Sequence, residues 1–190
     1  MIRIGILGDI GSGKSYVAKN FGYPVFDADA EVHKLYKRNR LIFKKLKKTL
    51  PKYFYSFPVD KRQVSQAILD NKENLKKIVK IIHEEIRKRL NFFLFKNRKK
   101  KIVILDIPLL LENKINKNED ILIFVQSNKS NVIKRLKKRK NFNKKLFDKF
   151  KHLQLSLDYK RKKSHFIIKN NFTKPSIKKG IDIILKKLNI

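Results

Sequence analysis

The sequence predicts an α/β fold, a five-stranded parallel sheet with helices on both faces. Three observations predict it. Residues 8–15 read GDIGSGKS and match the P-loop pattern G-x-x-x-x-G-K-[ST] at every fixed position. An apolar run at residues 3–7 precedes the motif and a helical pattern follows it, which is the order that a P-loop requires. Four more short apolar runs follow, and helical stretches separate most of them, as in sheets built from strand–helix–strand units.

The P-loop predicts a site for a nucleoside triphosphate. Its glycines allow a tight turn whose backbone N–H groups face an anion, and the start of the next helix adds a partial positive charge. Lys14 is predicted to bind the β- and γ-phosphates, and the Ser15 hydroxyl to bind Mg²⁺. The residues predicted to bind the nucleotide here are Gly8, Gly11, Ser12, Gly13, Lys14, Ser15 and Tyr16. The alternative is a glycine turn that binds no ligand.

Polar residues follow the other predicted strands, and ligands of parallel sheets bind beyond the carboxyl ends of the strands. Asp106 is predicted to contact Mg²⁺ through water, with a loop cap as the alternative. Asp29 is predicted beside the P-loop, where a carboxylate can take a proton from an acceptor hydroxyl. The equal alternative is that Asp29 caps the helix that begins near residue 30. The residues predicted on this rim are the P-loop, Asp27, Asp29, Asp106, Ile107, Pro108, Gln126, Ser127, Lys169 and Asn170.

Two arginines are candidates for stabilising the transferred phosphoryl group. Arg135 and Arg139 stand four residues apart, so they share one face of a helix. The segment 137–145 is rich in lysine and has few apolar residues, which suits a lid that excludes water from the reaction, and residues 135–160 are predicted as this basic helical lid. In a chain this basic, the alternative is an ordinary solvated face.

The strand signal disappears between the predicted strands at 24–26 and 102–106. Residues 31–95 are predicted to form an all-helical insertion, which ends in a long helix with one apolar face. Asp70 and Glu73 match the D-x-x-E form of a capping box at the start of that long helix. The other predicted elements are helices at 41–50, 60–69, 141–159 and 177–188, and strands at 121–125 and 166–168.

Composition limits the class of protein. The 190 residues predict one domain, and the absence of cysteine excludes disulfides and thiolate metal sites. The net charge of +33 indicates either binding to nucleic acid or an anionic membrane surface, or a biased composition, and the even spread of lysine favours biased composition. No apolar run approaches the roughly 20 residues of a membrane span, and the chain enters a strand at once, so a cytoplasmic protein is expected.

Five blocks of the sequence resemble the dephospho-CoA kinases, P-loop kinases of the nucleoside monophosphate kinase type. The resemblance runs nearly end to end, and its most distinctive block after the P-loop is D-x-P-L-L-x-E at residues 106–112. The other blocks are residues 6–15, the D-x-D segment in 24–29, the R-L-x-x-R segment in 135–139, and Gln154 with the strand and asparagine at 166–170.

The resemblance implies ATP-dependent phosphorylation of the ribose 3′-hydroxyl of dephospho-CoA, the last step of coenzyme A synthesis. It implies that Asp29 is the base, that Arg135 and Arg139 belong to the lid, and that Asn170 lies near the adenine. It also implies that the insertion at 31–95 binds CoA. ATP, Mg²⁺ and dephospho-CoA are then the ligands, with no specific nucleic acid and no membrane, in a monomer or weak homo-oligomer. The alternatives are a related kinase with another hydroxyl acceptor and an RNA-associated P-loop protein.

The chain also departs from the family pattern. Asp9 stands where glycine is common, so its side chain is expected to point away from the phosphate cradle. Tyr16 replaces a usual threonine, and Val59, Asp60 and Lys61 stand where the family has L-D-R, with Arg62 next to them. Glu84 replaces the family's proline after His83, so the long helix is expected to run straight through.

Overall fold

The computed structural model describes residues 1–138 and 142–190. The five strands are β1 (Ile2–Gly8), β2 (Val25–Asp27), β3 (Ile102–Asp106), β4 (Ile121–Gln126) and β5 (Phe166–Lys169). The helices of the described residues are α1 (Lys14–Asn20), α2 (Ala28–Arg38), α3 (Arg40–Thr49), α4 (Lys61–Asp70), α5 (Lys72–Lys96), α6 (Lys129–Lys137), α7 (Lys144–His152), α8 (Leu157–Lys162) and α9 (Lys174–Lys187). None of these helices is long and apolar enough to cross a membrane.

The strands form one parallel sheet in the order β2-β3-β1-β4-β5. This confirms the predicted five-stranded parallel sheet. In this order, β3 lies between β2 and the P-loop strand β1. Chain order alone does not state strand order, since each crossover connection can pass over a neighbouring strand.

Both faces of the sheet are covered. On one face, α1 and α9 pack on alternate apolar residues of the strands, among them Ile4, Ile104 and Ile123. On the other face, a Cβ added to Gly5 would lie 2.5 Å from a methyl carbon of Leu110. The segment after β3 therefore packs directly on the middle of β1. Every residue of β3 is buried, as expected of a strand covered on both sides.

Helices α2 to α5 belong to a separate compact unit, residues 28–96 together with 144–148. No strand occurs between β2 and β3 among the described residues, as the sequence predicts. α5 runs unbroken for 25 residues, through Glu84, which confirms the consequence drawn from the missing proline. Its apolar stripe is buried at Leu75, Ile78, Ile82, Ile86 and Leu90.

The capping residues of this unit differ from the prediction. The capping box is formed by Asp60 and Gln63 at the start of α4. At the start of α5, the Glu73 N–H donates to the side chain of Asn71 rather than of Asp70. Asp70 is the last residue of α4, and its carboxylate binds Lys52 and Tyr53 instead. The chain therefore turns one residue later than the D-x-x-E pattern indicates.

The basic segment predicted as one helix at 141–159 is divided. α7 ends at His152 and α8 begins at Leu157, with the Ser156 hydroxyl accepting the Tyr159 N–H as the cap of α8. The boundaries of the five strands agree with the predicted boundaries within two residues.

Candidate active site

The P-loop joins β1 to α1, and its backbone needs glycine at three points. Gly8, Gly11 and Gly13 have φ values of 146°, 84° and 92°, which side-chain-bearing residues rarely adopt. A Cβ on Gly11 would lie 3.0 Å from Leu136 of α6, and one on Gly13 would lie 2.5 Å from the Asn170 amide nitrogen. The glycines therefore provide both the turn and the space for close packing around it.

Lys14 and Ser15 occupy the first turn of α1. The Lys14 ammonium donates to the Asp9 carbonyl at 2.7 Å and the Gly8 carbonyl at 3.1 Å, so it lies over the loop itself. Ser15 and Tyr16 are exposed at the same helix end. A cation and a hydroxyl thus stand next to the glycine turn, as the P-loop pattern predicts.

Asp9 remains in contact with its own loop. Its carboxylate accepts the Ile10 N–H at 2.7 Å. The same residue lines a cavity of about 150 Å³ beyond the end of β4, together with Lys129 and Arg161. Cations therefore line the same cavity as the unusual acid of this P-loop.

The acids of the rim lie at the ends of β2 and β3. Asp27 and Asp106 are register partners at the carboxyl ends of these strands, and Asp106 is 4% exposed. Lys19 of α1 lies 3.8 Å from the Asp27 carboxylate. Asp29 follows two residues later and is exposed in the first turn of α2, so it is inside the helix and not its N-cap.

Of the two predicted arginines, the structure describes one. The Arg135 guanidinium stacks on the Phe172 ring, 4.4 Å from the ring centroid. Phe172 follows β5 and has a φ of 68°. Arg139 lies outside the described residues.

Asn170 and Ser127 converge on the P-loop. The Asn170 side-chain amide donates to the Ser12 carbonyl at 2.8 Å, and the Ser127 hydroxyl donates to the same oxygen at 2.9 Å. The sequence predicts that Ser127 lies on the rim, but it predicts no role for this residue. Only strand order, which brings β4 and β5 next to β1 in succession, makes this contact visible.

Glu112, the last residue of the D-x-P-L-L-x-E block, forms a buried ion pair. Its carboxylate lies 2.8 Å from the Lys160 ammonium, and the two side chains are 9% and 1% exposed. Lys160 also donates to Gln154, and Glu112 accepts the Leu155 N–H. This cluster, Glu112, Gln154 and Lys160, ties the segment before α8 to the segment after β3.

A parallel sheet that carries a P-loop at the end of its central strand defines the P-loop nucleotide-binding fold. Shikimate kinase from Bacteroides thetaiotaomicron has this fold at a TM-score of 0.56 and 13% identity, with 100% of this chain and 99% of that one covered. A dephospho-CoA kinase structure from Campylobacter jejuni superposes with a TM-score of 0.64 at 22% identity, over 98% and 96% of the two chains. At sequence identities this low, the two similarities show only that the folds are alike.

Comparison of the amino-acid sequences identifies the family as well as the fold. A protein called dephospho-CoA kinase from Wolbachia pipientis wMel is 35% identical over 192 aligned positions, covering 98% of both chains. The dephospho-CoA kinase family model matches residues 2–175. The chain therefore belongs to the dephospho-CoA kinase family.

Gly13→Ala tests the close packing around the P-loop. We expect ATP affinity to fall at least about tenfold, because the added methyl meets the Asn170 amide and shifts the loop, and one charge-assisted hydrogen bond contributes about 1.5–3 kcal/mol. Gly22→Ala is the matched control, since Gly22 has a φ of 75° but a Cβ there meets nothing within 4 Å. Both variants should lose about 1–2 kcal/mol of stability from backbone strain. Calorimetric titration with ATP should separate them, and equal affinities would contradict the steric explanation.

Lys160→Met tests the buried ion pair. The free energy of unfolding should fall by about 3–5 kcal/mol, because the variant leaves the Glu112 carboxylate buried without its cation. Lys162→Met on the same helix is exposed and should change stability by less than about 0.5 kcal/mol. Urea unfolding measures both variants. A loss at Lys160 no greater than that at Lys162 would show that the pair contributes nothing.

Proposed function

We propose that this chain transfers the γ-phosphoryl group of ATP to the ribose 3′-hydroxyl of dephospho-CoA, giving coenzyme A and ADP. This is the last step of coenzyme A synthesis. The observation that carries the proposal is membership of the dephospho-CoA kinase family over residues 2–175, with the P-loop at the start of the match.

The P-loop is proposed to hold the donor phosphates. Three positive-φ glycines and the N-terminus of α1 suit an anion, and the buried Ser12 hydroxyl has no hydrogen-bond partner among the described residues. Lys14 would exchange its contacts with loop carbonyls for contacts with the β- and γ-phosphates. The remaining proposed contacts are made by Gly8, Gly11, Gly13 and Tyr16, with Asn170 on the nucleotide side.

Mg²⁺ fits the donor set of this site. The described residues include no cluster of three or more His, Cys, Asp or Glu side chains that could hold a metal. A Mg²⁺ that travels with ATP needs no such cluster, because it keeps several waters and takes few protein ligands. We propose Ser15 as the direct ligand and Asp106 as an acceptor for the metal's waters. When bound, the ion neutralises charge on the β- and γ-phosphates.

Asp29 is the proposed base. The residue is exposed and lies just after β2, at the carboxyl end of the sheet, where ligands of parallel sheets bind. In the reaction, the 3′-oxygen attacks the γ-phosphorus, the bond from this phosphorus to the β–γ bridging oxygen breaks, and Asp29 takes the hydroxyl proton. Arg135 and Arg139 are proposed to stabilise the charge on the transferred group from a lid at residues 135–160.

The remaining parts of the proposal concern the acceptor and the setting. Residues 31–95 are proposed as the CoA-binding insertion of a single kinase domain, residues 1–190. The net charge of +33 favours encounter with polyanionic substrates such as ATP and dephospho-CoA. We place the protein in the cytoplasm as a monomer or weak homo-oligomer, with no nucleic-acid partner needed for activity.

An acceptor panel tests the proposed reaction. ADP release with ATP and Mg²⁺ should be fast with dephospho-CoA and should fall to the water background with nucleosides, nucleoside monophosphates and shikimate. Mass spectrometry and phosphorus NMR should identify the product as coenzyme A, with the new phosphate at the ribose 3′ position. Faster turnover with another acceptor than with dephospho-CoA would overturn the assignment.

Asp29→Asn tests the base. The variant should bind ATP normally and lose about 10²–10⁴-fold in kcat, because the amide cannot take the hydroxyl proton. Asp182→Asn, an exposed change on α9, is the control and should keep full activity. Near-normal transfer by the Asp29 variant would remove this residue from its role and leave the rest of the site untouched.

A further inference from the structure

We infer that Ser127 and Asn170 are positioning residues that aim the Gly13 N–H of the P-loop at the donor phosphates. They act through the Ser12–Gly13 peptide group and need no contact with the substrate. The inference rests on the proposed role of the P-loop as the ATP site. It changes the expectation for Asn170, which the family resemblance associates with the adenine.

Two side-chain donors meet at one carbonyl. The Ser12 oxygen accepts the Ser127 hydroxyl at 2.9 Å and the Asn170 amide at 2.8 Å. Ser127 follows β4 and Asn170 follows β5, so the donors come from two neighbouring strands. A carbonyl oxygen has two lone pairs, and here two side chains use them.

The geometry of the Ser12–Gly13 peptide group means that these two hydrogen bonds also set the direction of the Gly13 N–H. In a trans peptide, the C=O of one residue and the N–H of the next point to opposite sides. Holding the Ser12 C=O toward Ser127 and Asn170 therefore turns the Gly13 N–H to the other side of the loop. No hydrogen bond from the Gly13 N–H occurs within residues 1–138 and 142–190, so this donor remains available to an anion.

Asn170 is itself held rigidly. Its side-chain oxygen accepts the Phe172 N–H at 2.7 Å, and its backbone N–H donates to the Gln126 carbonyl at 2.8 Å. Because only an oxygen can accept the Phe172 N–H, the amide nitrogen must face Ser12. Asn170 is 3% exposed and Ser12 is 1% exposed. The amide nitrogen would also lie 2.5 Å from a Cβ at residue 13, so only glycine leaves room for this anchor.

Three variants separate the anchor from general stability. Ser127→Ala removes one donor, and Ser127→Thr keeps the hydroxyl. Asn170→Asp keeps an acceptor for the Phe172 N–H but replaces the donor to Ser12 with a carboxylate oxygen. Ser164→Ala is the matched control, since this partly buried hydroxyl also donates to one backbone carbonyl, that of Lys160, away from the loop.

The readout is the Kd of ATP with Mg²⁺, measured by calorimetry without acceptor, beside KM for dephospho-CoA and the unfolding midpoint. We expect Ser127→Ala to weaken ATP binding about 3–10-fold, the range of one neutral hydrogen bond, and Asn170→Asp to weaken it about tenfold or more. The double variant should lose more than the product of the single losses, because each donor alone still holds the carbonyl. Ser127→Thr and Ser164→Ala should bind ATP like the unchanged protein, and KM for dephospho-CoA should stay within about twofold in all variants.

The outcomes distinguish the inference from the function on which it rests. ATP affinities within about twofold of the unchanged protein in both Ser127→Ala and Asn170→Asp would overturn the inference. A loss in Ser164→Ala as large as in Ser127→Ala would assign the effect to stability and would overturn it as well. If Asn170→Asp does not fold, the ATP affinities of Ser127→Ala and Ser127→Thr are sufficient to test the inference. An unchanged protein that binds ATP but does not phosphorylate dephospho-CoA would overturn the proposed function, and the affinities would still test the anchor.

Discussion

The direction of a few backbone N–H groups between β1 and α1 is the constraint on which the donor site depends. A backbone that faces an anion needs conformations that most residues avoid, and the chain supplies glycine at each of these points. A loop rich in glycine has few side chains of its own that can stabilise its conformation. The neighbouring elements therefore hold it from outside, through Leu136 against Gly11 and through Asn170 and Ser127 on the Ser12 carbonyl.

Buried ion pairs join segments that lie far apart in the chain. Arg3 of β1 binds Asp120 before β4 at 2.9 Å, and burial of Asp120 raises the pKa of its carboxyl despite that guanidinium. Lys160 and Glu112 form the second pair. In a chain of 49 basic and 16 acidic residues, few carboxylates are available, so each buried acid has a distinct structural consequence. Taking both charges out of water offsets much of their attraction, so such pairs add little net stability although removing one partner is costly.

Much of the fold could be predicted from local pattern. The strand at 102–106 and the long apolar stripe of α5 were predicted correctly, because burial on both sides and a repeat of three to four residues leave clear marks in the sequence. The errors occurred where one residue decides. Asn71 rather than Asp70 caps α5, and the segment predicted as one helix at 141–159 is interrupted before Ser156. At the first position Asp70 and Asn71 are competing caps one residue apart, and local propensity does not choose between them.

The sequence by itself determined the P-loop, the parallel sheet and the family, because these depend on residues that are close together in the chain or on blocks that many relatives share. Only the tertiary structure decided that β3 separates β2 from β1, that Ser127 and Asn170 meet at one carbonyl, and that Glu112 pairs with Lys160. The two side-chain contacts at the Ser12 carbonyl join residues 115 and 158 positions apart. Their partners are chosen by strand order and packing, which no local pattern encodes.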